Sequence, residues 1–211
     1  MKDQELWRLV SQGDGAAFSF VYHRYFNDLY LYGLRISERE ELVKDVIQEL
    51  FIDVWSKRER LLITSSIKYY LLKALRRKTV EKLTELQKKQ SKTGAFIANQ
   101  PLISFSQEDF VIRNEEDLQR RQIVAQVLNS LPKRQREAVY LRYFRELSYQ
   151  EVATMMGLTE KAVVNHVYKA FRKIRKKGAL EKIIDLGMVI TTLASVFYLV
   201  HQAKAFSQLF L

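Results

Sequence analysis

Between Leu147 and Lys177 the chain spells a helix start, a helix stop and a second helix start in quick succession, LSYQEVATMMGLTEKAVVNHVYKAFRKIRKK. Ser148 with Glu151 has the pattern of a capping box, in which the hydroxyl accepts from the N–H three residues on and the carboxylate returns to the serine N–H. Val152, Met155 and Met156 follow on one side, Ala153 is small enough for a close helix crossing, and Gly157 can take the positive φ that ends a helix tightly. Thr159 is then the N-cap of a second helix whose inward residues are Ala162, Val163, Val167 and Ala170. Pro132 suits the first turn of a helix before these two, where no N–H bond is lost. The spacing predicts three helices over 132–177, the last two forming a helix-turn-helix.

The second of these helices turns outward Glu160, Lys161, Val164, Asn165, Tyr168, Lys169, Arg172 and Lys173, with His166 at the edge. Two readings stand for this face. It is either the solvated side of a packing corner or a recognition helix for the major groove, its early residues on base edges and its basic end on phosphate. In the second reading Asn165 pairs with adenine, Lys161 with guanine, and Val164 touches a thymine methyl. The cationic run Lys169–Lys177 favours DNA, because clustered Lys and Arg neutralise phosphates and release counterions.

A formal charge of +11 over 211 residues and a pI near 9.7 point the same way, toward a polyanion. With 7 glycines and 2 prolines, and apolar residues recurring at three and four, the expected fold is all-α. There is no cysteine, which excludes disulfides, thiolate metal sites and cysteine nucleophiles. His23, His166 and His201 are far apart, and no HExxH, Walker loop or GxGxxG occurs, so neither catalysis nor a metal or cofactor is expected. Met1–Val10 is charged and lacks a long apolar core, so no secretory signal is expected.

In the first half, Phe18, Val21, Tyr22, Tyr25, Phe26, Leu29 and Tyr30 form one helical stripe. Residues 39–55 give the clearest amphipathic helix, with Leu42, Val43, Val46, Ile47, Leu50, Phe51 and Val54 inward and Asp45, Gln48, Glu49, Ile52 and Asp53 outward. An outward Ile52 beside Trp55 argues for a protein partner, against a plain solvated face. A third helix after Ser65 carries Ile67, Tyr70, Leu71, Ala74 and Leu75 inward. Between Lys68 and Lys92 nine Lys or Arg stand against two Glu, a self-repulsion that an adjacent anion would relieve. Ser65, Ser66, Tyr69 and Tyr70 sit where loop meets helix; a hydroxyl and an aromatic beside cations can hold unstacked bases, although both tyrosines also fit ordinary packing. Periodicity fades over 83–107 and resumes over 108–130, so two basic helical modules on a tether are expected.

Four segments, DGAAFSFVYHRYFNDLY at 14–30, ELVKDVIQELFIDVWSKRERL at 41–61, SIKYYLLKALRRKTVEKL at 66–83 and the stretch from Leu131 to Lys176, together resemble the extracytoplasmic-function (ECF) sigma factors, which bring bacterial RNA polymerase to promoters. The resemblance implies a region 2 domain over 1–83, a flexible linker over 84–107, a region 4 helix-turn-helix domain over 108–178 and a hydrophobic tail over 179–211. It implies that Asp45, Gln48, Glu49, Ile52 and Trp55 meet core RNA polymerase, with Phe51 supporting from the core. Ser65, Ser66, Lys68, Tyr69, Lys73, Arg76 and Arg77 would capture and melt the −10 element of promoter DNA. Thr159, Glu160, Lys161, Val164, Asn165, His166, Tyr168, Lys169, Arg172 and Lys173 would read the −35 element. Arg77 stands where the family often has Asn, Ala162 where Thr is usual, and Val164 where a polar residue is common, so base preference is not implied. The pattern is similar to a Bacteroidetes subgroup whose members often pair with a membrane-bound anti-sigma factor.

The tail remains. Leu186–Val200 is uncharged and follows a cationic stretch, but fifteen residues rise only about 22 Å as a helix, short of a bilayer core. A membrane-surface anchor, a helix folded back on the DNA-binding domain and an anti-sigma docking segment all stay open, which leaves a cytoplasmic protein with or without contact to the inner membrane face. A free-standing helix-turn-helix regulator is the rival to the initiation-factor reading, and an enzyme of nucleic-acid metabolism ranks third.

Overall fold

The computed structural model describes residues 3–60, 66–90, 103–105 and 116–176. Among these the backbone forms eight α-helices and one π-helical turn, with no strand, and the chain divides into two compact units between residues 102 and 103.

The first unit holds α1 (Asp3–Ser11), α2 (Gly15–Ile36), α3 (Glu40–Ser56) and α4 (Ile67–Gln90). Helix α1 is an addition to what the periodicity predicts. Its Leu6, Trp7 and Val10 are buried. Asp14 starts α2 by accepting from the N–H groups of Ala16 and Ala17 at 2.8 and 3.0 Å. The inner face of α2 is Ala17, Val21, Tyr25, Leu29, Tyr32, Gly33 and Ile36. Phe18, Tyr22, Phe26 and Tyr30, expected inside, are half-buried and form an aromatic row along one flank. In that row Phe18 lies 4.8 Å from the Trp55 ring and Tyr22 lies 4.8 Å from Phe51. Helix α3 buries Val43, Val46, Ile47, Leu50, Phe51 and Val54, each worth about 1.5–3 kcal/mol of transfer free energy, while Leu42 is only half-buried. Helix α4 buries Ile67, Leu71, Leu72, Leu75 and Thr79. It runs on to Gln90, past the expected break near Leu83, because TELQKKQ contains no Gly or Pro and suits a solvated helix even without an apolar stripe.

The second unit holds α5 (Glu116–Asn129), α6 (Lys133–Val139), a π-helical turn (Tyr140–Phe144), α7 (Tyr149–Met156) and α8 (Glu160–Lys176). Ile103 and Phe105 fall in the span expected to be linker, yet both are buried in this unit. The Asn129 amide explains it: its Oδ1 accepts from Phe105 N–H and its Nδ2 donates to Phe105 C=O, both at 2.8 Å. The Phe105 ring then meets Phe144 at 4.9 Å and Tyr140 at 5.7 Å. Pro132 is the N-cap of α6, one position before the first turn. After the π turn, Arg145 is buried with its Nε and Nη2 donating to Tyr140 Oη at 2.9 and 2.6 Å, and Glu146 takes φ 59° as the chain reverses.

No helix among the described residues is long and apolar enough to cross a membrane. The segment 183–211, with its three open readings, lies outside the described residues.

Candidate nucleic-acid interface

The turn between α7 and α8 is built from the local signals in its sequence. Ser148 Oγ accepts from Glu151 N–H at 3.2 Å, and Glu151 Oε2 accepts from Ser148 N–H at 2.8 Å. Gly157 ends α7 at φ 64°, ψ 40°, and Leu158 N–H closes back to Ala153 C=O at 2.9 Å. Thr159 Oγ1 accepts from Ala162 N–H at 3.2 Å and starts α8. Arg134, from α6, donates through Nη1 to Met156 C=O at 3.1 Å, which satisfies an orphan carbonyl at the end of α7. The inward side of α8 is Val163, Val167, Ala170 and Ile174, all buried, with Ala162 half-buried.

That packing leaves one strip of α8 bare. Glu160, Lys161, Val164, Asn165, Tyr168, Lys169 and Arg172 are exposed along it, preceded by exposed Thr159. Val164 and Tyr168 show 44 % and 43 % of their surface, large values for apolar side chains on a packed helix. Two expected members sit off the strip. His166 is half-buried, and desolvation, reinforced by Lys169 and Arg134, lowers its proton affinity below the usual histidine value. Lys173 is half-buried because its Nζ donates to Ser130 C=O at 2.8 Å, holding the end of α5.

In the first unit, Ser65 lies outside the described residues, and Ser66 is the N-cap of α4, its Oγ accepting from Tyr69 N–H at 3.1 Å. Tyr69 is half-buried with Lys73 Nζ 5.6 Å from its ring centre; Lys73 and Arg77 are exposed and Arg76 is half-buried. Tyr70 is turned to Trp7, with ring centres 6.4 Å apart, which answers its two readings in favour of packing.

The charge argument for α4 needs correcting. Its lysines already have carboxylates beside them: Lys68 lies 3.3 Å from Asp28, Lys78 2.7 Å from Asp53 and Lys82 2.5 Å from Glu49. Carboxylates of α2 and α3 thus supply much of the anion that the cationic run wants. Only the outer cations, such as Lys73 and Arg77, present charge away from this network, Arg77 with Glu81 3.8 Å away. On α3, Asp45, Gln48 and Ile52 are exposed, Ile52 by 60 %, whereas Glu49 and Trp55 are half-buried. Trp55 lies between Phe18 and the Arg58 guanidinium, whose carbon is 4.5 Å from the ring centre.

Residues 121–174 match the family model described as Sigma-70, region 4. Over most of its length the chain is also similar to curated relatives. It is 26 % identical over 189 residues to the ECF RNA polymerase sigma-E factor of Escherichia coli strain K12, covering 84 % of this chain and 94 % of that one. It is 21 % identical over 155 residues to the ECF RNA polymerase sigma factor SigM of Bacillus subtilis, covering 74 % and 91 %. These likenesses support an ECF-type sigma factor, a factor of transcription initiation. Solved structures share the chain's fold. CnrH, in complex with the cytosolic domain of CnrY, superposes with a TM-score of 0.53 at 21 % identity over 82 % of this chain and 95 % of that one. The sigma factor RpoE of Bartonella quintana, in complex with the anti-sigma factor NepR, gives 0.51 at 19 % identity over 75 % and 94 %.

The second unit also includes a cluster that sequence reasoning missed. Tyr143 Oη lies 3.4 Å from Tyr149 Oη, and the Arg142 guanidinium carbon sits 5.4 and 5.1 Å from the two ring centres, just before α7. Burial pushes the Tyr143 hydroxyl far up, so it stays protonated. The signal was present as aromatic and Arg residues flanking the capping box, but which of them face one another depends on the π turn.

Proposed function

We propose that this sigma factor binds core RNA polymerase through the exposed part of α3, takes the −10 element of promoter DNA at the start of α4, and reads the −35 element with α8. The observation that carries the reading is the bare strip of α8: a helix fixed by three successive caps, with its inner side buried, offers Lys161, Val164 and Asn165 early and Lys169 and Arg172 late. Early residues at base edges and late cations at phosphates is the order that major-groove docking requires. For polymerase, Ile52 flanked by Asp45 and Gln48 offers an apolar centre with a polar rim. Lys73, Arg77 and Tyr69 supply cations and a ring for an unstacked strand.

A free-standing regulator has no use for the α3 strip or for a strand-capturing helix. No catalytic role is proposed. An anti-sigma protein is a further proposed partner, since the sigma factor RpoE of Bartonella quintana is held by the anti-sigma factor NepR. The place of action is the cytoplasm, where polymerase meets the chromosome.

The test is reconstitution. The purified full chain is mixed with bacterial core polymerase and genomic DNA of the source organism, and RNA 5′ ends are mapped. Start sites that appear only with the chain support the reading. Their absence, even at low salt, overturns it.

A further inference from the structure

The first turn of α4 is held from a helix that none of the proposed contacts uses. N–H groups in a first helical turn have no intrahelical partner. Ser66 Oγ takes the Tyr69 N–H, and the Ile67 N–H goes to Asp3 Oδ2 at 3.0 Å, 64 residues away in the chain. The other oxygen, Asp3 Oδ1, accepts from Tyr25 Oη at 3.4 Å, so one carboxylate ties α1 to both α2 and α4. Burial, with Asp3 next in effect, raises the proton affinity of the Tyr25 hydroxyl, which therefore stays a donor to this carboxylate. One turn along α1, the buried Trp7 backs onto Tyr70. A negative carboxylate at a helix N-terminus is also favoured by the helix dipole.

We propose that Asp3 is a positioning residue for promoter opening: by fixing the first turn of α4 it holds Ser66, Lys68 and Tyr69 at the angle at which they receive the unpaired −10 strand. The inference rests on the promoter role proposed above for α4. It separates two steps. Asp45, Gln48 and Ile52 lie on α3, while the Asp3 bonds run to α2 and α4, so loss of the tie acts on DNA opening and spares polymerase binding. A loose first turn has to be ordered again each time a strand is captured, and that cost falls on the opening step.

The test uses full-length Asp3→Ala, Asp3→Asn and Tyr25→Phe proteins with core polymerase. Four quantities are read: affinity for core, the rate at which thymines near −10 become permanganate-reactive on duplex promoter, the same on a promoter with a pre-melted −10 bubble, and amide hydrogen exchange of Ile67 in the free protein. Asp3→Ala is expected to speed Ile67 exchange and slow duplex opening roughly fivefold, the scale of losing one helix-capping acceptor, with core affinity unchanged. Asp3→Asn, whose carbonyl oxygen still accepts from Ile67, recovers most of the rate, Tyr25→Phe falls between, and the bubble template narrows all differences. Normal opening despite faster Ile67 exchange overturns the proposal. So does an equal loss in core affinity and opening that Asp3→Asn fails to rescue, which makes Asp3 a mere fold residue. If the unaltered protein opens neither template while Asp3→Ala still frees the Ile67 amide, the promoter role of α4 falls and takes the proposal with it, but the tie itself stands.

Discussion

Lys78 Nζ of α4 lies 2.7 Å from Asp53 Oδ2 of α3, and Lys57 Nζ meets the other oxygen of the same carboxylate at 3.2 Å. One aspartate thus joins two helices and the end of its own. The Lys78 hydrogen bond is the main cause that holds the Asp53 carboxyl below its ordinary 3.8, offsetting its partial burial. A depressed carboxylate stabilises the fold above its unfolded pKa and loses that contribution as pH falls through the lower folded value. Asp53→Asn leaves a largely buried ammonium with its partner gone, whereas Lys78→Met leaves Asp53 with Lys57. Urea unfolding near neutral pH should therefore show a larger loss for Asp53→Asn, of about 1 kcal/mol, than for Lys78→Met. The gap to the unaltered protein should close below about pH 3.8.

Gly33 is a point of close approach between α2 and α3. A methyl group built there meets both γ-carbons of Val43, a fully buried side chain. Gly33→Ala gains helix propensity, but it must push two packed helices apart, and overpacking of this kind costs about 1–3 kcal/mol. The check is a double-mutant cycle: Gly33→Ala should cost distinctly less in a Val43→Ala background, with a coupling of roughly 1 kcal/mol or more. Additive losses would place the strain elsewhere.

His166 gives the second unit a pH dependence of the same sense as that of Asp53, set in a higher window. Burial first, then Lys169 and Arg134, lower its folded pKa below 6.5, so the unfolded chain binds its proton more readily than the folded one. Stability is then highest with His166 neutral, and declines as pH falls through 6.5 toward the folded value. His166→Gln should flatten that decline between about pH 7.5 and pH 5.5 in urea unfolding followed by circular dichroism. An NMR titration placing the free protein's His166 above 6.5 would refute the assignment.

How much of this was legible in the sequence follows from the range of each signal. The α7–α8 turn could be read residue by residue because its capping box, left-handed glycine and threonine cap each act over no more than four positions. The buried side of α3 was legible because 17 residues give the helical period time to declare itself. Helix α1, at 9 residues, does not, and its main polar tie reaches a residue 64 positions away. The π turn and the Arg145–Tyr140 bonds depend on a break in period that no local pattern marks. The cations of α4 looked uncompensated because only the packed helices bring Asp28, Glu49 and Asp53 beside them. Lys173 has the spacing of the exposed strip, but a carbonyl within reach of its long stem turns it aside.

The two exposed strips should fail separately. Asp45 and Gln48 lie on α3 of the first unit, and Lys161 and Asn165 lie on α8 of the second, all four exposed. Asp45→Ala with Gln48→Ala is expected to weaken association with core polymerase while leaving binding of a −35 duplex by the full chain unchanged. Lys161→Ala or Asn165→Ala is expected to do the reverse, costing about 1–3 kcal/mol at a base pair whose edge the side chain reads and less at a base pair altered there beforehand. Arg172→Ala should instead weaken all duplexes alike and lower the salt dependence by about one counterion, as a phosphate contact does. Anisotropy with labelled duplexes at several salt concentrations, beside a polymerase pull-down, separates these outcomes. Parallel losses in both assays, from either strip, would mean that the substitutions disturb the fold and that neither strip is a contact surface.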